Sequence, residues 1–459
     1  MKEKILKIIA WKLRLLARLT IAKYKPAIVG VTGNVGKTSA KLAIAAIMAS
    51  DRRTRASAKN FNNELGLPLN IIGDFDSTEG IGVWFRAIWT GVRNLIFTVD
   101  YPEVIVLEYG VDRPGDMNYL LSIAKPQIGA VTAVGRIPVH VEFFSGPEGV
   151  AKEKSKLVSF LPATGLAILN ADDPGIASLS KTTKAKIVTF GIKDNKITQS
   201  TQSGVQDIKN CPICHGKLNY NSYTLGHLGE YTCAKCGFKN PKVQISASNI
   251  ILNKDFSTSL NLTILNHKQL AINYNLPGLY NAYNVLASAA ISAFYKLTPP
   301  MFTQSIANFT PVFGRFQKIM VGKKTIYIFL IKNPTGANEV VKVLSSQGNL
   351  NLLVILNDNF ADGTDVSWIW DTNWETLSQK TKQLTISGTR SWDMATRLKY
   401  ANFKVSKYNV NEQIDSSIKS AMKLLNTNDT LVILPTYTAL ISLQKYFAKT
   451  GTVGKWHKN

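Results

Sequence analysis

The chain has 459 residues and carries 54 Lys+Arg against 30 Asp+Glu, a formal net charge of +24. Hydrophobic residues at 45% and charged residues at 18% exclude a disordered or acidic solvating chain, and no run of about 18 uncharged apolar residues offers a spanning helix. The surplus of base points to an anionic partner: nucleotide phosphate, nucleic acid or an anionic membrane face.

In chain order, residues 1–25 predict a basic amphipathic helix. Ile5, Leu6, Ile8, Ile9, Leu13, Leu16 and Leu19 recur at helical spacing, while Lys4, Lys7, Lys12, Arg14 and Arg18 interrupt any signal-peptide core. Such a helix either lies on an anionic bilayer or docks on the next domain with a solvated basic face. An apolar run at 27–31 then leads through Gly33, Asn34, Val35 and Gly36 into Lys37, Thr38, Ser39 and an Ala-rich helix. Strand, glycine loop and helix start together make a phosphate cradle, with Lys37 reaching the phosphates and Thr38 holding Mg²⁺. Val31 stands where the full pattern has glycine. Further apolar runs at 104–107, 128–134, 166–169 and 186–190, with helical patterns between most of them, predict a mostly parallel sheet covered on both faces. Glu108 closes one such strand. His140 and Glu142 follow another, ahead of a helix bearing Lys152, Lys154 and Lys156. Carboxylate and imidazole near a triphosphate suit a second Mg²⁺.

The stretch 195–249 is polar and holds all four cysteines, so it reads as an insertion of about 200–245 with its own small fold. Cys211 and Cys214, then Cys233 and Cys236, have the two-pair spacing of a four-thiolate zinc ribbon, a closed structural site. Four cysteines are too few for a secreted disulfide scaffold, and a cytoplasmic protein, peripheral on the inner membrane face, is the expectation. A nucleic-acid module would need base on the ribbon, yet between Cys211 and Cys236 the only Lys/Arg are Lys217 and Lys235, so no nucleic-acid partner is expected. Residues 281–295 are helical, paired prolines mark a connection at 297–311, and strand runs from Thr325 onward predict a second α/β domain. The expected divisions are 1–25, 26–311 and 312–459.

Taken together, ThrGlyAsnValGlyLysThr, AsnPheAsnAsnGluLeuGlyLeuPro at 60–68, Glu108 with AspArgProGlyAsp at 112–116, His140ValGlu142, LeuAsnAlaAspAspPro at 169–174, GlyLeuTyrAsnAlaTyrAsn at 278–284 and Gly314-Arg315 resemble the central ATPase domain of Mur ligases. Beyond residue 316 the resemblance narrows to MurT-type subunits of lipid II isoglutaminyl synthases. It rests on LysAsnProThrGlyAlaAsnGlu at 332–339, the segment 356–371, SerGlyThrArg at 387–390 and ProThrTyrThrAlaLeu at 435–440. That family also carries a four-cysteine ribbon.

The resemblance implies a P-loop ATPase domain with an inserted ribbon and a smaller Rossmann-like C-terminal domain. It implies that Gly33, Asn34, Gly36, Lys37, Thr38 and Ser39 hold ATP phosphate, that Thr38, Glu108 and His140 serve Mg²⁺, and that Asn170, Asp172, Asn281, Asn284 and Arg315 surround the nucleotide. Its reaction is amidation of the D-glutamate α-carboxylate of lipid II with ammonia from a GatD-type glutaminase. Asp365 matches the aspartate that faces the glutaminase, with Asp362 and Asp371 as neighbouring alternatives. The chain departs from the MurT pattern at 60–68 and 112–116, which look closer to dipeptide-adding Mur ligases, and Tyr280 stands where His is common. Lys154 matches the lysine that those amino-acid-adding enzymes carbamylate; the alternative is a solvated basic face shared with Lys152 and Lys156. The alternative function is addition of an amino acid or dipeptide to a UDP-linked precursor. A phosphate loop beginning near residue 30 leaves no room for the UDP-holding domain that function requires, so amidation is the expectation.

Overall fold

The computed structural model describes residues 2–33, 36–57, 61–75, 77, 80–132, 144, 147–197, 208–264, 269–309 and 316–451. Two compact units divide the chain: one spans 1–253, 257–275 and 279–309, and the other spans 310–459 together with 254–256 and 276–278.

In the first unit, nine strands among the described residues form one sheet. They are β1 (Ala27–Thr32), β2 (Thr54–Arg55), β3 (Val104–Glu108), β4 (Ile128–Val131), β5 (Leu166–Asn170), β6 (Lys186–Ile192) and, beyond a separate hairpin of β7 (Leu218–Leu225) and β8 (Leu228–Cys233), β9 (Ile245–Leu252), β10 (Thr258–Ile264) and β11 (Gln269–Tyr274). The spatial order is β11-β10-β9-β6-β5-β4-β1-β3-β2. Strands β2 through β6 and β9 run parallel with β1, and their Val/Ile/Leu-rich runs are buried because helices cover both faces. β1 lies between β3 and β4, so the connections leave it toward opposite sides of the sheet. That topological switch opens a crevice at the carboxyl end of β1, where open α/β sheets place ligands.

Around this sheet lie α1 (Lys2–Tyr24), α2 (Lys37–Met48), α3 (Gly66–Ile72), α4 (Ile81–Ile96), α5 (Asp116–Ile123), α6 (Pro147–Ser159), α7 (Pro174–Ser178), α8 (Leu279–Phe294) and α9 (Pro299–Ala307). α1 is docked: Leu13 and Ala17 are fully buried and share a core with Trp84 and Ala87 of α4 and with Leu107 of β3. The helix is therefore docked on the next domain by its inner face, while its outer face exposes Ile8, Trp11, Leu15 and Leu19 rather than base alone. The main sheet resumes at Ile245, although the polar composition runs on to residue 249. β9 pairs with β6 and starts the antiparallel β9–β10–β11 extension, because Ile245 and Ala247 alternate inward between exposed-side serines.

The second unit holds β12 (Gln317–Val321), β13 (Lys324–Ile328), β14 (Leu350–Ile355), β15 (Thr381–Ser387), β16 (Val410–Asn411) and β17 (Thr430–Pro435), in the order β12-β13-β17-β14-β15-β16. All but the β12–β13 hairpin are parallel, the Rossmann-like pattern expected. α10 (Pro334–Ser345), α11 (Glu375–Ser378), α12 (Ser391–Tyr400), α13 (Ile414–Leu424) and α14 (Tyr437–Lys449) connect the strands, and a 3-10 turn spans Ser367–Asp371. Ile326, Ile328, Leu353, Ile355 and Ile433 build its core against Leu440 and Leu443.

Candidate active site

The crevice is built from the loop after β1. Gly36 has φ 82, a left-handed conformation that L side chains rarely adopt, and a Cβ there would lie 2.8 Å from Asn284 Oδ1. Lys37 and Thr38 follow Gly36 as the first residues of α2, and a helix N-terminus favours anions. Opposite it, the β1–β3 register pairs Val31 with Glu108 and so brings that carboxylate beneath the loop. Thr38 Oγ1 donates to Glu108 Oε2 at 2.8 Å, and Asn62 Nδ2 donates to Oε1 at 3.1 Å. Lys41 Nζ lies 3.5 Å from Oε2 and donates to Ser57 Oγ at 3.3 Å. Glu108 and Lys41 are both buried, as is Ser39 in the same helix.

Lys154, on α6, is buried and donates from Nζ to the carbonyl of Gly33 at 3.0 Å, whereas Lys152 is exposed. The solvated-face alternative for Lys154 is thus not what the chain adopts. Burial first, and then the neighbouring Lys37 charge, push its pKa down to about 7, with Asp112 opposing. Glu153, one residue before it, accepts from the backbone N–H groups of Gly115 and Met117, each at 3.1 Å, and so ties α6 to the AspArgProGlyAsp run.

On the other side of the loop, Asn284 Nδ2 donates to Asn281 Oδ1 at 3.2 Å, one turn apart on α8. At the end of β5, Asn170 Oδ1 accepts from Asp172 N at 3.0 Å, while its buried Nδ2 has no hydrogen-bond partner among the described residues. Asp172 is engaged by the fold: its Oδ2 accepts from Ile192 N at 2.7 Å and from the Tyr283 hydroxyl at 2.9 Å, and burial raises its pKa to about 6. Asn34, His140, Glu142 and Arg315 lie outside the described residues. Sequence reasoning missed Lys41 and Tyr283. Lys41 had a signal, since it stands one helical turn after Lys37 on the same face.

The cysteines converge. Their Sγ atoms all lie within 4.8 Å of one another, with Cys211 and Cys236 3.7 Å apart and Cys214 and Cys233 3.5 Å apart, and all four are free thiols. Two equivalent knuckles achieve this. In the first, Cys211 N donates to Gly216 O and His215 N to Cys211 O; in the second, Cys233 N donates to Phe238 O and Gly237 N to Cys233 O. His215 (φ 56) and Gly237 (φ 71) occupy the same left-handed position, so His215 is a turn residue. N–H groups of Cys236 and Lys235 help to hold the Cys233 thiol down to about 6, favouring the thiolate that ligates metal. Four sulfurs so spaced could hold a tetrahedral metal ion. The ribbon is anchored on the β5–α7 turn: Tyr231 Oη and Asn240 Nδ2 both donate to Ala171 O, Gly229 N donates to Asp172 O, and His227 Nε2 lies 3.1 Å from Asp173 Oδ2.

In the second unit the three candidate aspartates separate. Asp362 is buried, and its carboxylate accepts from Thr438 N and Thr438 Oγ1. Asp365 is exposed, caps the turn by accepting from Ser367 N at 2.8 Å, and is held below its usual pKa by that N–H. It lines a cavity of about 500 Å³ with Trp370, Arg390 and Trp392. Asp371, also exposed, gives its backbone carbonyl to Asn338. The turn itself is firmly held: Ile369 O accepts from Arg397 Nε and Trp374 Nε1, and Arg397 pairs with Glu375.

A phosphate-loop sheet with an inserted ribbon, followed by a smaller parallel α/β unit, defines a class. Residues 90–233 match the Mur ligase middle domain, and the fold aligns with MurF from Acinetobacter baumannii at a TM-score of 0.67 and 15% identity, covering 95% of this chain and 79% of that one. It likewise aligns with MurF from Thermotoga maritima in complex with ADP at 0.64 and 16%, covering 96% and 83%. The chain thus shares the fold of Mur ligases and resembles their middle domain over residues 90–233. Its C-terminal part is more particular: residues 330–440 match the MurT ligase C-terminal domain. The subunit MurT of lipid II isoglutaminyl synthase from Streptococcus pneumoniae is 30% identical over 249 residues, 53% of this chain and 54% of that protein. The Staphylococcus aureus subunit is 32% identical over 276 residues, 60% of each. The chain thus spans a little over half of these relatives' length. A UDP-N-acetylmuramoyl-tripeptide–D-alanyl-D-alanine ligase from Mycobacterium bovis is 35% identical over 168 residues, 37% of this chain and 28% of that protein.

Proposed function

We propose that this chain is the ATP-dependent ligase subunit that amidates the D-glutamate α-carboxylate of the lipid II stem peptide to D-isoglutamine, using ammonia from a GatD-type glutaminase. The observation that carries the reading is the union in one chain of a Mur ligase middle domain and a MurT-type C-terminal domain. A carboxylate acylates nitrogen poorly. Transfer of the γ-phosphoryl group of ATP to it, releasing ADP, gives an acyl phosphate whose carbonyl carbon ammonia attacks, expelling phosphate. Here the chain supplies position and charge rather than covalent chemistry. Lys37 and the α2 N-terminus bind the phosphates. Asn281 and Asn284 flank the loop on α8, and Asn170, with an unused buried N–H, fits a nucleotide-facing role.

The adjacent Thr38 hydroxyl and Glu108 carboxylate are hard oxygen donors that suit Mg²⁺, which when bound offsets phosphate charge. His140 and Arg315 complete the set on resemblance alone. Zinc suits the four thiols as a structural ion. Asp365, exposed on a rigid turn beside Trp370 and Trp392, is suited to meet the glutaminase and orient its catalytic imidazole. The work would take place at the cytoplasmic membrane face, where a lipid-linked substrate resides. Among the described residues no helix is long and apolar enough to cross a membrane.

The test is reconstitution. The chain alone should hydrolyse ATP slowly and amidate lipid II only with added ammonia; with its glutaminase it should use glutamine. Asp365→Asn should abolish the glutamine-dependent reaction and spare the ammonia-dependent one. Equal loss of both, or no calorimetric signal with Mg²⁺ and adenine nucleotides, would refute the reading. The likeness to D-alanyl-D-alanine ligases and the buried Lys154 favour a second reading, dipeptide addition to a UDP-linked precursor. Product analysis with that precursor decides between them.

A further inference from the structure

α1 and α4 pack side by side in the first unit, with Leu16 against Gly91 and with Lys23 Nζ capping the carbonyls of Asn94, Leu95 and Phe97 at the end of α4. Both turn one edge into the same core: Leu13 and Ala17 from α1, Trp84 and Ala87 from α4. At 100° per residue the opposite edge of a surface helix should be polar. Here it is not. The outer edge of α1 carries Ile8, Trp11, Leu15 and Leu19, with Trp11 60% exposed. That of α4 carries Ile81, Phe85, Trp89 and Ile96, with Trp89 70% exposed. Because both inner edges meet one core, both outer edges look away from it to the same side, and a patch this apolar marks an interaction surface.

The charges around the patch choose the occupant. On α1, Lys7 and Arg18 border the apolar stripe on one side and Lys12 on the other. On α4, Arg86 and Arg93 run along one edge and, with Arg55, line a cavity of about 330 Å³ to which Asp74 and Asp100 also open. Tryptophan and branched aliphatics at the centre with Lys/Arg at the rim is the composition of a helix seated at a bilayer interface: the rings enter the headgroup boundary and the base meets anionic lipid. We infer that the outer faces of α1 and α4 together form a monotopic docking surface for an anionic phospholipid bilayer. The inference deepens the membrane-face location given above, but it rests on α1 and α4 alone, and its test involves neither nucleotide nor glutaminase.

Co-sedimentation of the full chain with vesicles of phosphatidylglycerol and phosphatidylcholine tests it. Binding is expected, weaker on phosphatidylcholine alone. The Trp11→Glu/Trp89→Glu double variant should lose about tenfold or more in partitioning, whereas Tyr408→Glu, an exposed aromatic of the second unit, should not. A Trp11→Phe/Trp89→Phe variant guards against misfolding: it should still bind, and quenching of tryptophan fluorescence by brominated phosphatidylglycerol should fall relative to the parent. Failure of the parent chain to bind anionic vesicles, undiminished binding by the Glu variant, or undiminished quenching in the Phe variant would overturn the inference. So would an oligomer in size-exclusion chromatography that the Glu variant dissociates while vesicles stay unbound, since the face would then belong to a second copy.

Discussion

Glu108 and Asp365 are carboxylates to which the same proposed reaction assigns work, and their surroundings are opposites. Glu108 closes a central strand, is buried, and is engaged by Thr38, Asn62 and Lys41. Asp365 stands exposed on a turn held by other residues, Arg397 and Trp374, and its own bonds are to Ser367 alone. In the first region function and stability share the same atoms. In the second the carboxylate is exposed and contributes little to the packing around it, which leaves it accessible to the partner proposed above.

The comparison can be broken at several points. Glu108→Gln takes away the carboxylate beside the buried Lys41 ammonium and should cost about 3–5 kcal/mol in denaturant unfolding, along with ATP hydrolysis. A loss below about 0.5 kcal/mol would mean that the buried cluster is not a coupled unit. Cys211→Ser should lower bound metal from a full equivalent to near none, with hydrogen exchange rising across the β7–β8 hairpin; an unchanged metal content would remove the four-thiolate assignment.

Lys154 gives a pH test. Its folded pKa of about 7 lies below the ordinary value of 10.5, so between the two the unfolded chain holds a proton that the folded chain does not, and stability from this group rises with pH across that window. Against Lys154→Met, the parent should therefore gain ground from pH 7 toward 10.5, and a flat difference would contradict the buried setting. Smallest of all, Asp365→Asn should shift stability by less than about 0.5 kcal/mol, because the amide oxygen can still accept from Ser367 N.

What was legible in the sequence was what short-range spacing encodes. Gly36-Lys37-Thr38 between strand and helix, and the two cysteine pairs, are local patterns whose geometry follows from a turn and two knuckles, and the structure places them so. The strand-end position of Glu108 was also readable, because an apolar run ends there. Its partner Lys41 was not singled out, since a lysine inside an Ala-rich helix is ordinarily solvated and only packing buries this one. The same reason hid the state of Lys154: two lysines nearby look identical in sequence, and α6 turns only one of them toward Gly33. The apolar outer edge of α4 escaped notice because a segment apolar on most of its circumference reads as core. The polar stretch 195–249 overlaps the first half of β9 because Ser246, Ser248 and Asn249 dominate the composition there, while Ile245 and Ala247 settle the strand's placement at the expected end of the insertion near 245.

The ribbon's grip on the β5–α7 turn has a practical bearing. Gly229 and Asn240 hold Ala171 and Asp172; Asp172 receives the Tyr283 hydroxyl; and Tyr283 belongs to the helix that sets Asn284 against Gly36. Strand β8, these hydrogen bonds and one helix together join the ribbon to the glycine that precedes α2. A metal ion held by the four thiols would therefore bear on adenine-nucleotide binding, and titrations with and without chelator, alongside a metal inventory, would measure by how much.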